Sequence, residues 1–194
     1  MRDTLLKTWE AIPEGERTAQ LSVGAGWYDV ARRTAEALAG EYNVPLHRAA
    51  GVIAALSPRI TWADNVRGAE QVLHRAAYPE VFGPGGELEG LGRPVPGFGQ
   101  NVRKAEAIAR GEAPEQVLGG DKVRAFYRAI LGDRGAAVVD VWMIRAVGED
   151  AHKTFTGARY ARVAEALRQA AELAGIDTAD FQAIIWCYTR GGAS

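Results

Sequence analysis

Apolar residues recur every three to four positions along almost all of this 194-residue chain, a period that only an α-helix gathers onto one face. Residues 3–11 form a short amphipathic stretch that stops before Pro13. Residues 26–41 place Trp27, Val30, Ala31, Ala35 and Leu38 on one side, with Arg32, Arg33 and Glu36 opposite. Pro45 opens the next helix, and its run from Ala49 to Leu56 is apolar on every side. A helix without a polar face has to be buried. This one ends at Ser57-Pro58, because the residue before a proline is pushed out of the α region. Thr61 or Asp64 caps a helix running to about Ala76. Glycine and proline then crowd into residues 78–99, in Phe82-Gly-Pro-Gly-Gly and Gly92-Arg-Pro-Val-Pro-Gly-Phe-Gly, which marks a loop and the one candidate hinge between lobes. Helical spacing returns at 100–110, 113–118, 122–131, 141–147, 159–174 and 178–189, with Asp177 or Thr178 capping the last. There is no internal repeat and no pairing of strand-like runs. The expectation is an all-α fold.

Composition narrows the function classes. Hydrophobic residues make up 47% of the chain, enough for a sizeable core. No apolar run approaches the roughly 20 residues of a membrane span. The opening Met1-Arg-Asp-Thr-Leu-Leu-Lys lacks the apolar stretch of a signal peptide. The single cysteine, Cys187, excludes an intrachain disulfide, a thiolate zinc knuckle and a four-cysteine iron–sulfur cluster. These features lead us to expect a cytoplasmic protein that spans no membrane. His47, His74 and His152 share no ligand spacing, so neither a metal nor another cofactor is expected. The formal net charge is −1, whereas a broad nucleic-acid-binding surface is usually strongly basic. Any contact with DNA therefore requires cations concentrated on one face.

Two segments carry the chemistry. In Gln116-Val-Leu-Gly-Gly-Asp-Lys-Val-Arg-Ala-Phe-Tyr a short helix, a glycine turn and a second helix follow in quick succession. Gly119 and Gly120 let the turn present backbone N–H groups beside the positive end of the second helix, with Lys122 and Arg124 adding charge. That is a phosphate site, or else a plain helical corner. In Ala136-Ala-Val-Val-Asp-Val-Trp-Met-Ile-Arg one carboxylate, Asp140, follows an apolar approach and opens a helix. It is either an N-cap for free backbone N–H groups or a fixed negative charge able to stabilise a sugar cation as a glycosidic bond breaks.

Together these segments resemble the helix-hairpin-helix DNA glycosylases, the superfamily of endonuclease III and the adenine glycosylase MutY. That superfamily has a hairpin of the type Leu-Pro-Gly-Val-Gly, a helix, then Val-Asp-Thr-His-x-x-Arg with the catalytic aspartate. Here Val139, Asp140 and Arg145 match the second motif, and Lys122 stands where the bifunctional members carry a Schiff-base lysine. Gly51-Val-Ile-Ala-Ala-Leu-Ser-Pro-Arg-Ile-Thr-Trp-Ala-Asp-Asn is similar to the family's buried helix ending in Leu-Ser and the loop after it. Gly97-Phe-Gly-Gln-Asn-Val-Arg-Lys-Ala is similar to its Gly-x-x-x-x-Lys-Ala helix. The departures are Leu118 in place of the first hairpin glycine, Pro58 in place of a glutamine, Val141-Trp142 in place of Thr-His, and no iron–sulfur cysteines. They point to a divergent branch, similar to domains of phage and bacterial proteins associated with thymine hypermodification.

The resemblance implies a two-lobed helical glycosylase fold with a central helix-hairpin-helix. Residues 1–194 would form one such unit, with a motif-bearing core at 47–148 and the terminal helices, 1–46 and 149–194, packing as the second lobe. It implies a DNA N-glycosylase that flips a modified or damaged base from duplex or single-stranded DNA in a bacterium or a phage-infected host; a monomer is expected. Asp140 would support the sugar cation. Lys122 would attack C1′ if the enzyme is also a lyase, and otherwise contacts phosphate or solvent. Arg59, Trp62 and Asn65, after the buried helix, would face the lesion. Trp62 would wedge into or stack on the bases, or pack locally; Asn65 would read a base edge, or bond to nearby backbone. Lys104, Arg103 and Arg124 would contact phosphates or lie on a solvated face. Trp142 would floor the pocket or fill the core. Gln182 and Trp186, four apart on one face, would line the pocket or anchor the last helix. Two other readings stay open: an enzyme of this fold processing a hypermodified pyrimidine or a nucleotide, and a DNA-binding module without chemistry.

Overall fold

The computed structural model describes residues 1–15, 17–18, 26–79, 94–152, 154 and 156–190. Most of the expected glycine- and proline-rich hinge, residues 80–93, lies outside them. Among the described residues the chain is all helical, with no strand. In chain order the helices are α1 (Arg2–Ala11), α2 (Gly26–Glu41), α3 (Leu46–Leu56), α4 (Trp62–Ala77), α5 (Gly99–Ala109), α6 (Pro114–Val117), α7 (Asp121–Ile130), α8 (Val141–Ala146), α9 (Gly157–Ala174) and α10 (Thr178–Thr189). They belong to two compact units. One comprises residues 32–127; the other joins residues 1–31 to residues 128–194. The division falls within α2 and α7. It groups Asp140 with the terminal helices and the glycine hairpin with the middle of the chain.

The middle unit is built around α3. Its residues Ala49 to Leu56 are all buried, as their lack of a polar face requires. Helix α3 packs mainly against α5 and α4, with α6 against both α3 and α5. The approach is closest at Gly51, where an added Cβ would lie 2.8 Å from Pro114 Cγ and 3.1 Å from Ile108 Cγ2. Only a residue without a side chain lets α6 sit this near to α3. Thr61 caps α4: its Oγ1 accepts from the Asp64 N–H at 3.1 Å and donates to Asp64 Oδ2 at 2.9 Å. The sequence left Thr61 and Asp64 as alternatives; here both take part, one as cap and the other as its partner.

In the other unit α1 packs on α9, α8 and α10, and α10 also packs on α9 and α8. Leu5, Ile12, Met143, Val163, Leu167, Phe181 and Ile184 are its fully buried core, with the Trp9 and Phe181 rings 5.3 Å apart. Thr156 caps α9 through the Arg159 N–H, and Gly175, at φ +72°, ends it, a conformation that costs glycine little. Asp177 takes the N-cap position of α10, but its side chain makes no capping hydrogen bond. Arg159 is buried, its Nε donating to Glu149 and its Nη2 to the Asp150 carbonyl at 2.6 Å. A buried guanidinium is tolerable only with such partners.

Candidate functional site

Asp140 is positioned from both sides. Before it, Ala136 to Val139 are buried. The Tyr160 hydroxyl of α9 donates to the Ala137 carbonyl at 2.6 Å and accepts from the Val139 N–H at 3.4 Å. This pins the approach strand-like segment to α9. After it, the extended backbone of Asp140 gives way to α8, and Oδ1 accepts from the N–H groups of Trp142 at 2.9 Å and Met143 at 3.0 Å. The other oxygen, Oδ2, accepts from the indole Nε1 of Trp186 at 3.0 Å. An ionised carboxylate offers about four acceptor positions, so three donors hold it and about one position remains. The capping role accounts for Oδ1. The bond to Trp186 comes from α10, 46 residues away in sequence, and no local cap explains it.

Aromatic and cationic groups surround this carboxylate. Arg145 lies over the Trp142 ring, with Cζ 4.6 Å from the centroid. Arg190 lies 4.4 Å from the Trp186 ring and 5.8 Å from that of Trp142. The Trp27 ring is 6.4 Å from that of Trp186 and 5.0 Å from that of Tyr28. Tyr28 is buried and donates to Gln182 Oε1 at 2.6 Å. Burial pushes its phenol well above its ordinary pKa, with the charge of Asp140 adding to the effect. Gln182 is only 4% exposed, and the Tyr28 bond ties α10 to α2. Trp142, for which sequence allowed a pocket floor or a core filler, is half-buried, as is Trp186. Behind the cluster, Arg134 donates to Asp29 at 2.6 Å and to Asp180 at 3.0 Å. Trp27, Tyr28 and Arg190 were not singled out from sequence. The signal for Arg190 was present: it continues the Gln182, Trp186 spacing by four.

The remaining candidates belong to the middle unit. Leu118 is buried, Gly119 and Gly120 are exposed, and Gly120 takes φ +79°. Arg124 Nε donates to the Leu118 carbonyl at 2.8 Å. The Lys104 amine lies 3.3 Å from where a Cβ on Gly119 would stand. Tyr127 ties the second helix of the hairpin to the first by donating to Glu115 Oε1 at 2.7 Å. Lys122 is half-buried in the first turn of α7. Arg59 is exposed with φ +62°, a conformation that costs a non-glycine residue about 1–2 kcal/mol. Its guanidinium lies 5.8 Å from the ring of Phe98, which is 52% exposed. Trp62 is half-buried at the first position of α4. Asn65 is 3% exposed, and its Oδ1 accepts no hydrogen bond. Arg103 is exposed, Nη1 lying 3.7 Å from where a Cβ on Gly99 would stand. The arrangement thus gathers Lys104, Gly119, Gly120 and Arg124 at the hairpin, and Arg59 with Phe98 at a second place. Asp140, Trp142, Arg145 and Gln182 lie in the other unit.

An open hollow of about 460 Å³ is lined by Glu172, Gly175, Ile176, Asp177 and Asp180. Its carboxylates would repel a polyanion. Burial raises the Asp180 carboxyl above its ordinary pKa, against the opposing pull of Arg134. Among the described residues no three His, Cys, Asp or Glu side chains are grouped to hold a metal ion, and no helix is long and apolar enough to cross a membrane. No curated protein and no solved structure matches the chain. A family model described as a family of unknown function, DUF7178, matches residues 1–193, and the chain belongs to that family.

Proposed function

We propose that this protein is a DNA N-glycosylase of the helix-hairpin-helix type, acting on a modified or damaged base with Asp140 as its catalytic carboxylate. The observation that carries the reading is the binding of Asp140 by two backbone N–H groups and the Trp186 indole, within a rim of Trp142, Arg145 and Arg190. A charge fixed before the reaction costs no reorganisation as positive charge develops on the sugar. In this mechanism the C1′–N bond breaks, the base departs with the bonding electrons and takes up a proton, and the negative charge of Asp140 supports the oxocarbenium-like centre. Water held at the remaining acceptor position of Oδ2 adds to C1′ and gives up a proton to that oxygen, which returns it to solvent, the source of the proton on the departing base. In a bifunctional variant the neutral amine of Lys122 adds to C1′ instead, and the resulting imine permits β-elimination. The hairpin supports the DNA reading through the exposed Gly119 and Gly120 with Lys104 and Arg124 beside them. A second reading, the same chemistry on a nucleotide or hypermodified pyrimidine, is favoured by the net charge of −1.

The test is base release from single-stranded and duplex DNA carrying damaged or hypermodified bases, and from the matching nucleotides. Release that falls by about two orders of magnitude or more in Asp140→Asn is expected, the scale on which a fixed electrostatic stabiliser is worth. Full release in that variant removes Asp140 from the mechanism. Absence of release from every substrate leaves a DNA-binding module, with Asp140 as a helix cap. Borohydride trapping of an active preparation decides the role of Lys122: a covalent adduct lost in Lys122→Ala assigns the lyase step, and no adduct rules it out.

A further inference from the structure

Two guanidinium groups beside Asp140 differ from the other arginines that hold this unit together. Arg134 binds Asp29 and Asp180, and Arg159 binds Glu149. Arg145 and Arg190 are exposed and have no carboxylate partner among the described residues. Both are held against indoles: Arg145 on Trp142, and Arg190 between Trp142 and Trp186. A guanidinium resting on a ring directs its N–H groups outward in its own plane, and that fork matches two oxygens of a phosphate. Asp140 forms no ion pair with either; its oxygens accept from the backbone and from Trp186. Stacking also fixes two long side chains before any ligand arrives, which lowers the entropy lost on binding. Both indoles are only half-buried, so part of each ring remains open to solvent and to a planar base.

We propose that Arg145 and Arg190, mounted on Trp142 and Trp186, bind the phosphate of a nucleotide whose planar base packs against the same indole pair. This rests on the reading of Asp140 as the catalytic group and deepens it: the last helix, α10, supplies both the Trp186 hydrogen bond to the carboxylate and the Arg190 charge that anchors the substrate. The phosphate is common to a free nucleotide and to a strand, and the arms of the test separate the two.

The experiment titrates the full chain with deoxynucleoside 5′-monophosphates, the corresponding nucleosides, inorganic phosphate and a short single-stranded oligodeoxynucleotide. It is read by tryptophan emission and by calorimetry. Saturable binding of the monophosphate or the oligonucleotide, with the nucleoside and inorganic phosphate each at least tenfold weaker, is the expected result. Arg145→Gln and Arg190→Gln should each weaken binding by about tenfold, as expected for losing one charge-assisted hydrogen-bonding group. Arg190→Lys should recover only part of the loss, because an ammonium keeps the charge without the planar fork. Binding of the oligonucleotide alone assigns the phosphate to a strand; equal binding of the monophosphate assigns it to a free nucleotide. Failure of both ligands to bind, equal binding of nucleoside and nucleotide, or unchanged affinity in folded glutamine variants overturns the proposal. Nucleotide binding without base release retires the glycosidic reading and leaves this site standing. Base release with both glutamine variants binding normally does the reverse.

Discussion

Asparagine at position 140 keeps the helix cap and reverses the other end of the side chain. Asparagine and aspartate cap helices about equally well, so its amide oxygen can still accept from the Trp142 and Met143 N–H groups, now held at 2.9 and 3.0 Å. The amide nitrogen must then occupy the place of Oδ2 and face the Trp186 Nε1, donor against donor, where the native contact is 3.0 Å. Losing a hydrogen bond to a charged group costs about 1.5–3 kcal/mol. Both side chains are half-buried, so water relieves part of the loss and about 1–2 kcal/mol is expected for Asp140→Asn. In a Trp186→Phe background no indole donor remains, and the same substitution should cost only a few tenths of a kcal/mol. The double-mutant cycle should therefore give a coupling of about 1 kcal/mol. The assay is urea unfolding at neutral pH, with the Trp186 indole N–H resonance as a local reporter that shifts in Asp140→Asn. Coupling within about 0.3 kcal/mol of zero, with that resonance unmoved, would refute the claim that the indole holds the carboxylate.

Two further substitutions test the middle unit. Gly51→Ala brings a methyl group within 2.8 Å of Pro114 Cγ; the overpacking, about 1–3 kcal/mol, should outweigh the gain of up to about 1 kcal/mol in helix propensity and lower Tm, whereas an unchanged or higher Tm would mean that α6 yields freely. The Tyr127 hydroxyl holds the Glu115 carboxyl below its ordinary value of 4.5. The unfolded chain therefore binds more protons there, and this contribution to stability, fully present above that value, is lost as the pH falls below it and through the lower pKa of the folded state. Tyr127→Phe should flatten that acid limb when stability is measured between about pH 3 and pH 6; an unchanged limb would contradict the assignment.

What was legible in the sequence was what neighbouring residues decide together. The run Ala49 to Leu56 offers no polar face at any rotation, so its burial follows without knowledge of its partners. The caps at Thr61 and Asp140 follow from a short oxygen-bearing side chain beside free N–H groups a few residues on. The same rule offered Asp177 or Thr178 for α10; Asp177 takes the N-cap position, but position alone does not aim its carboxylate, which makes no capping hydrogen bond. The contacts that build the candidate site join distant segments: Trp186 to Asp140, Tyr28 to Gln182, Tyr160 to Ala137. No spacing encodes them, and they exist only once α2, α9 and α10 have packed. Arg159 makes the same point, since an arginine in a helical sequence reads as a solvated charge until Glu149 and the Asp150 carbonyl turn out to surround it.

The near-neutral net charge becomes intelligible on the same footing. Net charge is a sum, whereas a ligand meets the local field. Asp29 and Asp180 are bound to Arg134, Glu149 to Arg159, Asp64 to Arg67 and Glu36 to Arg32. Within those groups the charges largely cancel, so they add little to the field outside. Arg145, Arg190, Lys104 and Arg124 have no such partner among the described residues. They stand beside the carboxylate of α8 or beside the glycine hairpin. Other carboxylates gather instead around the hollow lined by Glu172, Asp177 and Asp180. A chain with net charge −1 can thus offer a few strongly placed cations while generating little long-range attraction. For the site proposed here, recognition would come from contact with one or two phosphates and a stacked base, and less from capture of a long duplex by a broad basic surface.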